Sequence, residues 1–162
     1  MSRGGSPNSV SDHARSRAVP LRYNAFTNFG IALGAALSVE YTIDQSQKVV
    51  VVTLRGEIGD ADLLNIGPTT RSHPSFDPSF SEIVDFSSVT GGNVSTGALQ
   101  ALARRQSIYN RASKHVVIAP QTHVFGLSRM FQVYAEATRP NTMVVRTLDE
   151  ARVCLGLQRI TK

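Results

Sequence analysis

The chain has 162 residues, 41% of them hydrophobic and 18% charged, with a formal net charge of +5. That is enough for one domain with a proper core plus an extension. Tryptophan is absent and aromatics make up only 7%, which argues against a lectin-like or single-strand stacking surface. The first 38 residues hold Arg3, Arg15, Arg17 and Arg22 against the single Asp12, a net of +3, so the remainder carries only +2 of the total. The body is nearly balanced, and a nucleic-acid partner, which needs a basic stripe on a folded face, is not expected. Cys154 is the only cysteine; it excludes an internal disulfide and fits a reducing, cytoplasmic setting. No apolar run reaches the roughly 20 residues that span a bilayer.

Met1 to Val19 is rich in Ser, Arg, Gly and Asn without periodicity and reads as disordered. Phe26 to Leu37 is short and apolar behind several arginines, the outline of a secretory signal, but Asn28 and Gly30 interrupt it. Residues 1–38 therefore read as a disordered extension or as the product of a start codon placed too far upstream. Val39–Ile43 alternates and predicts an edge strand ending at Asp44. Lys48–Leu54 is a continuous apolar run of the kind a buried strand shows, and the short Gln45–Gln47 turn joins the two as an antiparallel hairpin. Arg55–Gly59 breaks the strand. Asp60 caps a short helix with Leu63, Leu64 and Ile66 inward, which Gly67-Pro68 stops, and Thr69–Phe80 reads as a long surface loop.

Glu82–Leu102 is the stretch around which the rest is organised. It reads as a short buried strand (Ile83, Val84, Phe86), a polar loop, and a helix starting near Ser95. In open α/β sheets, ligands and partners meet the protein beyond the carboxyl ends of the strands, where Asp85, Ser87, Ser88, Thr90 and Gly91-Gly92 fall. Lys114–Ala119 is a further core strand, with His115 expected to be partly exposed. Thr122 caps a helix whose inward stripe is Val124, Leu127, Phe131 and Tyr134. Thr142–Arg146 is the last strand, and Thr147–Glu150 is a capping box in which Glu150 reaches back to the Thr147 amide. A closing helix seated by Leu148, Ala151 and Leu155 carries Cys154, expected as a small buried apolar group. The order ββ-α-β-α-β-α-β-α specifies a single α/β domain over 39–158, ahead of a short tail at 159–162. It is a mixed five-stranded sheet with an opening antiparallel hairpin, then βα units, and four helices.

Several chemistries have no support. No second carboxylate accompanies Asp85, so acid–base catalysis is not expected, and its reading is to accept amide hydrogen bonds from the following residues. The four histidines lack metal spacing, and no metal or cofactor is expected. No G-x-S-x-G elbow, P-loop or dinucleotide fingerprint occurs. Arg129, with no acid at i±3 or i±4, reads as a solvated residue with a candidate role as an anion contact. His123, in the first turn of its helix, is a further candidate for an anionic ligand.

The residues Val84-Asp85-Phe86-Ser87-Ser88-Val89, Val116–Ala119, Phe125-Gly126-Leu127-Ser128-Arg129-Met130-Phe131 and Val144–Ala151 resemble the SpoIIAA-like, or STAS, fold family. The likeness is nearer to a branch of small bacterial proteins grouped with STAS and CRAL-TRIO-type domains, and it spans residues 39–157. The resemblance implies a non-enzymatic regulatory or protein-interaction module, with a kinase or an anti-sigma-like regulator as partner. In anti-sigma-factor antagonists a serine at the start of the helix after the D-[LF]-S-x-V motif is phosphorylated. Ser95-Thr96-Gly97 resembles that site, with Thr96 the nearest equivalent of the modified position and Ser95 its neighbour. Here the intervening loop is longer and Asn93-Val94 replaces the usual acid. A phosphate there would sit at a helix N-terminus; the plainer reading is that Ser95 or Thr96 caps the helix. The CRAL-TRIO side of the resemblance implies the alternative, a carrier of a small or lipid-like apolar ligand, which would need a cavity of roughly 300–1,000 Å³. The helix stripes look sufficient only to fill an ordinary core.

Overall fold

A computed structural model describes residues 21–23 and 37–157. The sequence-read sheet and its four helices are present: a mixed α/β sheet opening with an antiparallel hairpin and continuing in parallel βα units. The strands are β1 (Leu21–Tyr23), β2 (Ser38–Asp44), β3 (Val49–Gly59), β4 (Ser81–Asn93), β5 (His115–Ile118) and β6 (Thr142–Val145). The helices are α1 (Asp60–Arg71), α2 (Thr96–Arg104), α3 (Thr122–Tyr134) and α4 (Leu148–Leu155). The strands lie side by side in chain order. β1 and β2 are antiparallel, as are β2 and β3, whereas β3 through β6 are parallel.

β1 adds a short strand to the five expected and lies within the stretch read as an extension. It pairs Leu21 with Tyr41 and Tyr23 with Val39, so β2 is not the sheet edge. The rest of that extension, its signal-like segment and the 159–162 tail fall outside the described residues.

Sequential order explains the layering. Each parallel crossover steps the same way along the sheet, and crossovers share one hand, so successive helices land on the same face. Leu63 and Ile66 of α1, Leu99 and Leu102 of α2, and Val124, Leu127 and Phe131 of α3 pack over Val50, Val52, Leu54 and Val117. The alternate residues of the same strands, Val49, Ile83, Val116 and Ile118, point the other way and meet α4 through Ala151, Leu148 and Leu155. Cys154 packs, partly buried, in that second layer.

Several local expectations change. β3 does not break at Arg55 but runs to Gly59, and β4 runs to Asn93. Ser87, Ser88, Thr90 and Gly91-Gly92 are therefore strand residues rather than a loop. The two pair from Arg55↔Ser88 to Gly59↔Asn93 across two register irregularities, and main-chain pairing overrides the polar, glycine-rich composition. Gly92 is required there. Its φ is +119, and a Cβ would collide with the Ile58 backbone.

Helix α1 passes through Pro68 and ends at Arg71. Proline cannot donate to the carbonyl four residues back, and that carbonyl, Leu64 O, accepts from Arg105 Nη1 at 3.0 Å instead. Asp60 does not cap α1: Gly59 is the N-cap, its N–H donating to Asp62 Oδ2 at 2.8 Å. The N-cap of α3 is Gln121, with Thr122 the first helical residue. Tyr134 is 39% exposed, so it is not part of the inward stripe; Ser128 is buried in its place. Thr147 caps α4 as expected, accepting from Glu150 N, but the Glu150 carboxylate takes the Arg146 amide rather than that of Thr147.

Candidate functional site

The expected surface is assembled only in part. Asp85 is buried, and its Oδ1 accepts from Ser87 N at 2.8 Å, shaping the bulge after β4's apolar half. Ser87 and Thr90 are exposed, while Ser88 is half-buried and its hydroxyl accepts from Arg55 Nη1. Ser95 is the N-cap of α2, accepting from Ala98 N at 3.1 Å. The same residue is clasped by Asp60: the Ser95 N–H and O–H each donate to one carboxylate oxygen at 2.7 Å. These bonds, the amide first, hold Asp60 below the usual carboxylate range. A phosphate on Ser95 would have to displace that carboxylate and face its charge. Thr96 is exposed at the first helical position. Thr122 and His123 are exposed at the start of α3. Arg129 is exposed farther along that helix and donates to Gln132 Oε1, whose Nε2 is tied to Thr142 O at the amino end of β6.

The feature that composition did not disclose lies beneath the helices. A cavity of about 300 Å³ separates β4 and β5 from α1, α2 and α3. Its wall is mostly apolar: Ile66, Val84, Phe86, Leu99, Val117, Val124, Leu127 and Phe131 contribute. Val124, Leu127 and Phe131 form the inward stripe of α3 yet are only partly buried, because the space they face is not filled by side chains. Glu82 and His115 line the cavity at the amino ends of β4 and β5; Gly91, Gly92 and His123 line it beyond the carboxyl end of β5. The space therefore follows the strands. Gln121 roofs the carboxyl end, its Nε2 donating to the carbonyls of Phe86, Ser87 and Val89 at 3.2–3.4 Å. The bulge at Ser87 turns these carbonyls toward it.

The amino end is polar and buried. Glu82 and His115 are neighbours across β4 and β5, and their side chains are 12% and 6% exposed. His115 Nδ1 lies 3.1 Å from Glu82 Oε2, and the Tyr109 hydroxyl donates to Glu82 Oε1 at 3.1 Å. Burial, then the Glu82 charge, raises the Tyr109 hydroxyl far above its ordinary range, which keeps it protonated and donating. Tyr109 is held by edge-on ring contacts with Phe76 and His115, centroids 5.3 and 5.1 Å apart. His115 is thus buried in the core, not partly exposed as expected. Arg139 completes this end. Its guanidinium stands 5.7 Å over the Phe131 ring, and its Nη1 donates to Leu102 O, Arg105 O and Thr138 Oγ1. Burial lowers its basicity, and the Glu82 charge acts in the opposite direction.

Sequence reasoning missed Glu82, Tyr109, His115 and Arg139. One signal was available: Glu82-Ile-Val and His115-Val-Val each place an ionisable residue at the same point before an apolar run, and adjacent parallel strands bring such residues together. Among the described residues, no group of three or more His, Cys, Asp or Glu side chains is placed to hold a metal ion. No described helix is long and apolar enough to cross a membrane. A scan of protein-family models returns no match to this chain, and a search of curated proteins finds no significant relative.

Proposed function

We propose that this domain is a non-enzymatic binding module of STAS-like fold that holds a small, mainly apolar molecule between its sheet and helices α1–α3. The observation that carries the reading is the cavity of about 300 Å³, at the lower end of the range that ligand pockets occupy. Apolar walls with a few convergent polar groups at one end are the usual make-up of such sites. The carrier-like reading thereby moves ahead of a purely surface-acting module. The nearly balanced charge of the body supports a role without nucleic acid, and the lone cysteine supports a cytoplasmic one.

The test is a methyl-resolved NMR titration with 1-octanol. Saturable shifts confined to Val117, Val124, Leu127 and their neighbours are expected, and Leu127→Trp, which fills the space, abolishes them. Absence of saturable shifts removes the reading.

A second reading, docking of a protein on the end of the sheet with a phosphate switch, is favoured by the exposure of Ser87 and Thr90 in the second half of β4 and of Thr96 at the start of α2. Phosphopeptide mass spectrometry on protein from its own cells tests it, with Thr96 the expected position and Ser95 unmodified.

A further inference from the structure

The binding reading leaves open what the polar end of the cavity recognises, and the inference here rests on that reading. Glu82 faces the cavity but its two oxygens are already engaged, one by the Tyr109 hydroxyl and one by His115 Nδ1. Two sets of groups at this end remain. His115 Nε2 has no hydrogen-bond partner among the described residues, and neither do Nε and Nη2 of Arg139. None of these atoms is sealed into the packing, and both residues line the cavity.

The Arg139 guanidinium carries its charge half-buried, with no carboxylate within ion-pair distance among the described residues. Its Nη1 is spent on carbonyl and hydroxyl oxygens, which fixes the plane of the group and leaves the Nε–Nη2 edge. That edge is the fork that pairs with two oxygens of a planar anion. The Glu82 charge acts on it only from beyond ion-pair distance, so an anion on the free edge would supply the direct partner that this half-buried guanidinium lacks. The remaining wall is mostly apolar, with Gln121 and His123 at the far, carboxyl end, and the space follows the strands rather than forming a sphere. At about 30 Å³ for each water-sized unit, 300 Å³ holds about ten non-hydrogen atoms.

We propose that the cavity binds a carboxylic acid with a slender apolar body of about that size, the carboxylate on Arg139 and the tail running along β4 and β5 toward Gly92. A medium-chain fatty acid has this chemistry.

Octanoate and 1-octanol distinguish this inference from the parent reading, because they share a tail and differ in the head. In the full chain, octanoate is expected to bind at least ten-fold more tightly than 1-octanol by NMR titration or calorimetry. Arg139→Gln is expected to erase that preference, bringing octanoate down to the affinity that 1-octanol shows for the same variant. Octanol binding as tightly as octanoate, or a preference that survives Arg139→Gln, overturns the carboxylate assignment and leaves the apolar site standing. Failure of both to bind overturns the two together. Should Arg139→Gln not fold, the wild-type Arg139 Nε–H resonance reads the same contact. A shift with octanoate but not with octanol supports the assignment, and an Nε–H unmoved by saturating octanoate overturns it.

Discussion

The two faces of the sheet are built from alternate residues of the same strands, yet they are packed to different ends. On one, α4 lays Ala151 against Val49, Ile83, Val116 and Ile118, all of them at most 1% exposed. On the other, three helices cover a wider area, and their larger side chains stop short of the sheet over β4 and β5, leaving the cavity. A small residue at the crossing point lets a helix come down close to the strands. Three helices linked to each other, α1 to α2 through Arg105 and Leu64 and α2 to the turn that follows α3 through Ala103 and Thr138, brace one another above a gap. Close packing is therefore concentrated on the α4 side, and the opening is kept by the arch on the other.

Truncation should expose this contrast most strongly. Ile118→Ala, on the close-packed face, is expected to cost about 2–5 kcal/mol in urea unfolding. Leu127→Ala, on the cavity wall, is expected to cost less than about 1.5 kcal/mol, because its side chain already borders open space. Equal losses would mean that the two faces are packed alike. Gly92→Ala is expected to come next, at about 2–3 kcal/mol. Its Cβ would meet the Ile58 backbone, so the loss should be accompanied by amide shifts confined to Ile58, Gly59 and Thr90–Asn93.

Tyr109→Phe removes one of the two partners of Glu82 and is expected to cost about 1 kcal/mol. Its measured effect sharpens the comparison by showing how far the polar end of the cavity supports the arch. The smallest effect is electrostatic. Asp60 is depressed by its bonds from Ser95, so its contribution is present above the unfolded carboxyl value and is lost as pH falls through the lower folded value. Asp60→Asn is accordingly expected to lower the urea midpoint slightly at pH 7, by a difference that shrinks as pH falls below the unfolded carboxyl value of about 3.9. A midpoint difference that persists in acid would assign the effect to packing instead.

The strands and helices were legible because apolar runs such as Val49–Val52 and Val116–Ile118 can only be interior, and because Ser95 and Thr147 stand where helices begin. The length of β3 and β4 was not. Arg55–Gly59 and Ser87–Asn93 are polar or glycine-rich, and only their pairing with each other makes them strands. The polar end of the cavity was hidden for a similar reason. Glu82 and Tyr109 are 27 residues apart and Glu82 and His115 are 33 apart, so no local spacing joins them. The alternation that marks Val124, Leu127 and Phe131 as inward does not tell whether the space they face is filled.

The overlong pair β3–β4 has a consequence for access. Beyond Arg55, β3 has no β2 partner, and beyond Asp85, β4 has no β5 partner, so the last turns of this ribbon hang on one ladder alone. Its amides, from Glu57 to Gly59 and from Thr90 to Asn93, should exchange with solvent deuterium well before those of Val50–Val52 or Val116–Ile118, through openings far smaller than global unfolding. Because Ile58, Gly91 and Gly92 border the cavity, each such opening widens its end. A molecule could enter and leave at the rate at which two strand tips fray, while the close-packed face stays shut.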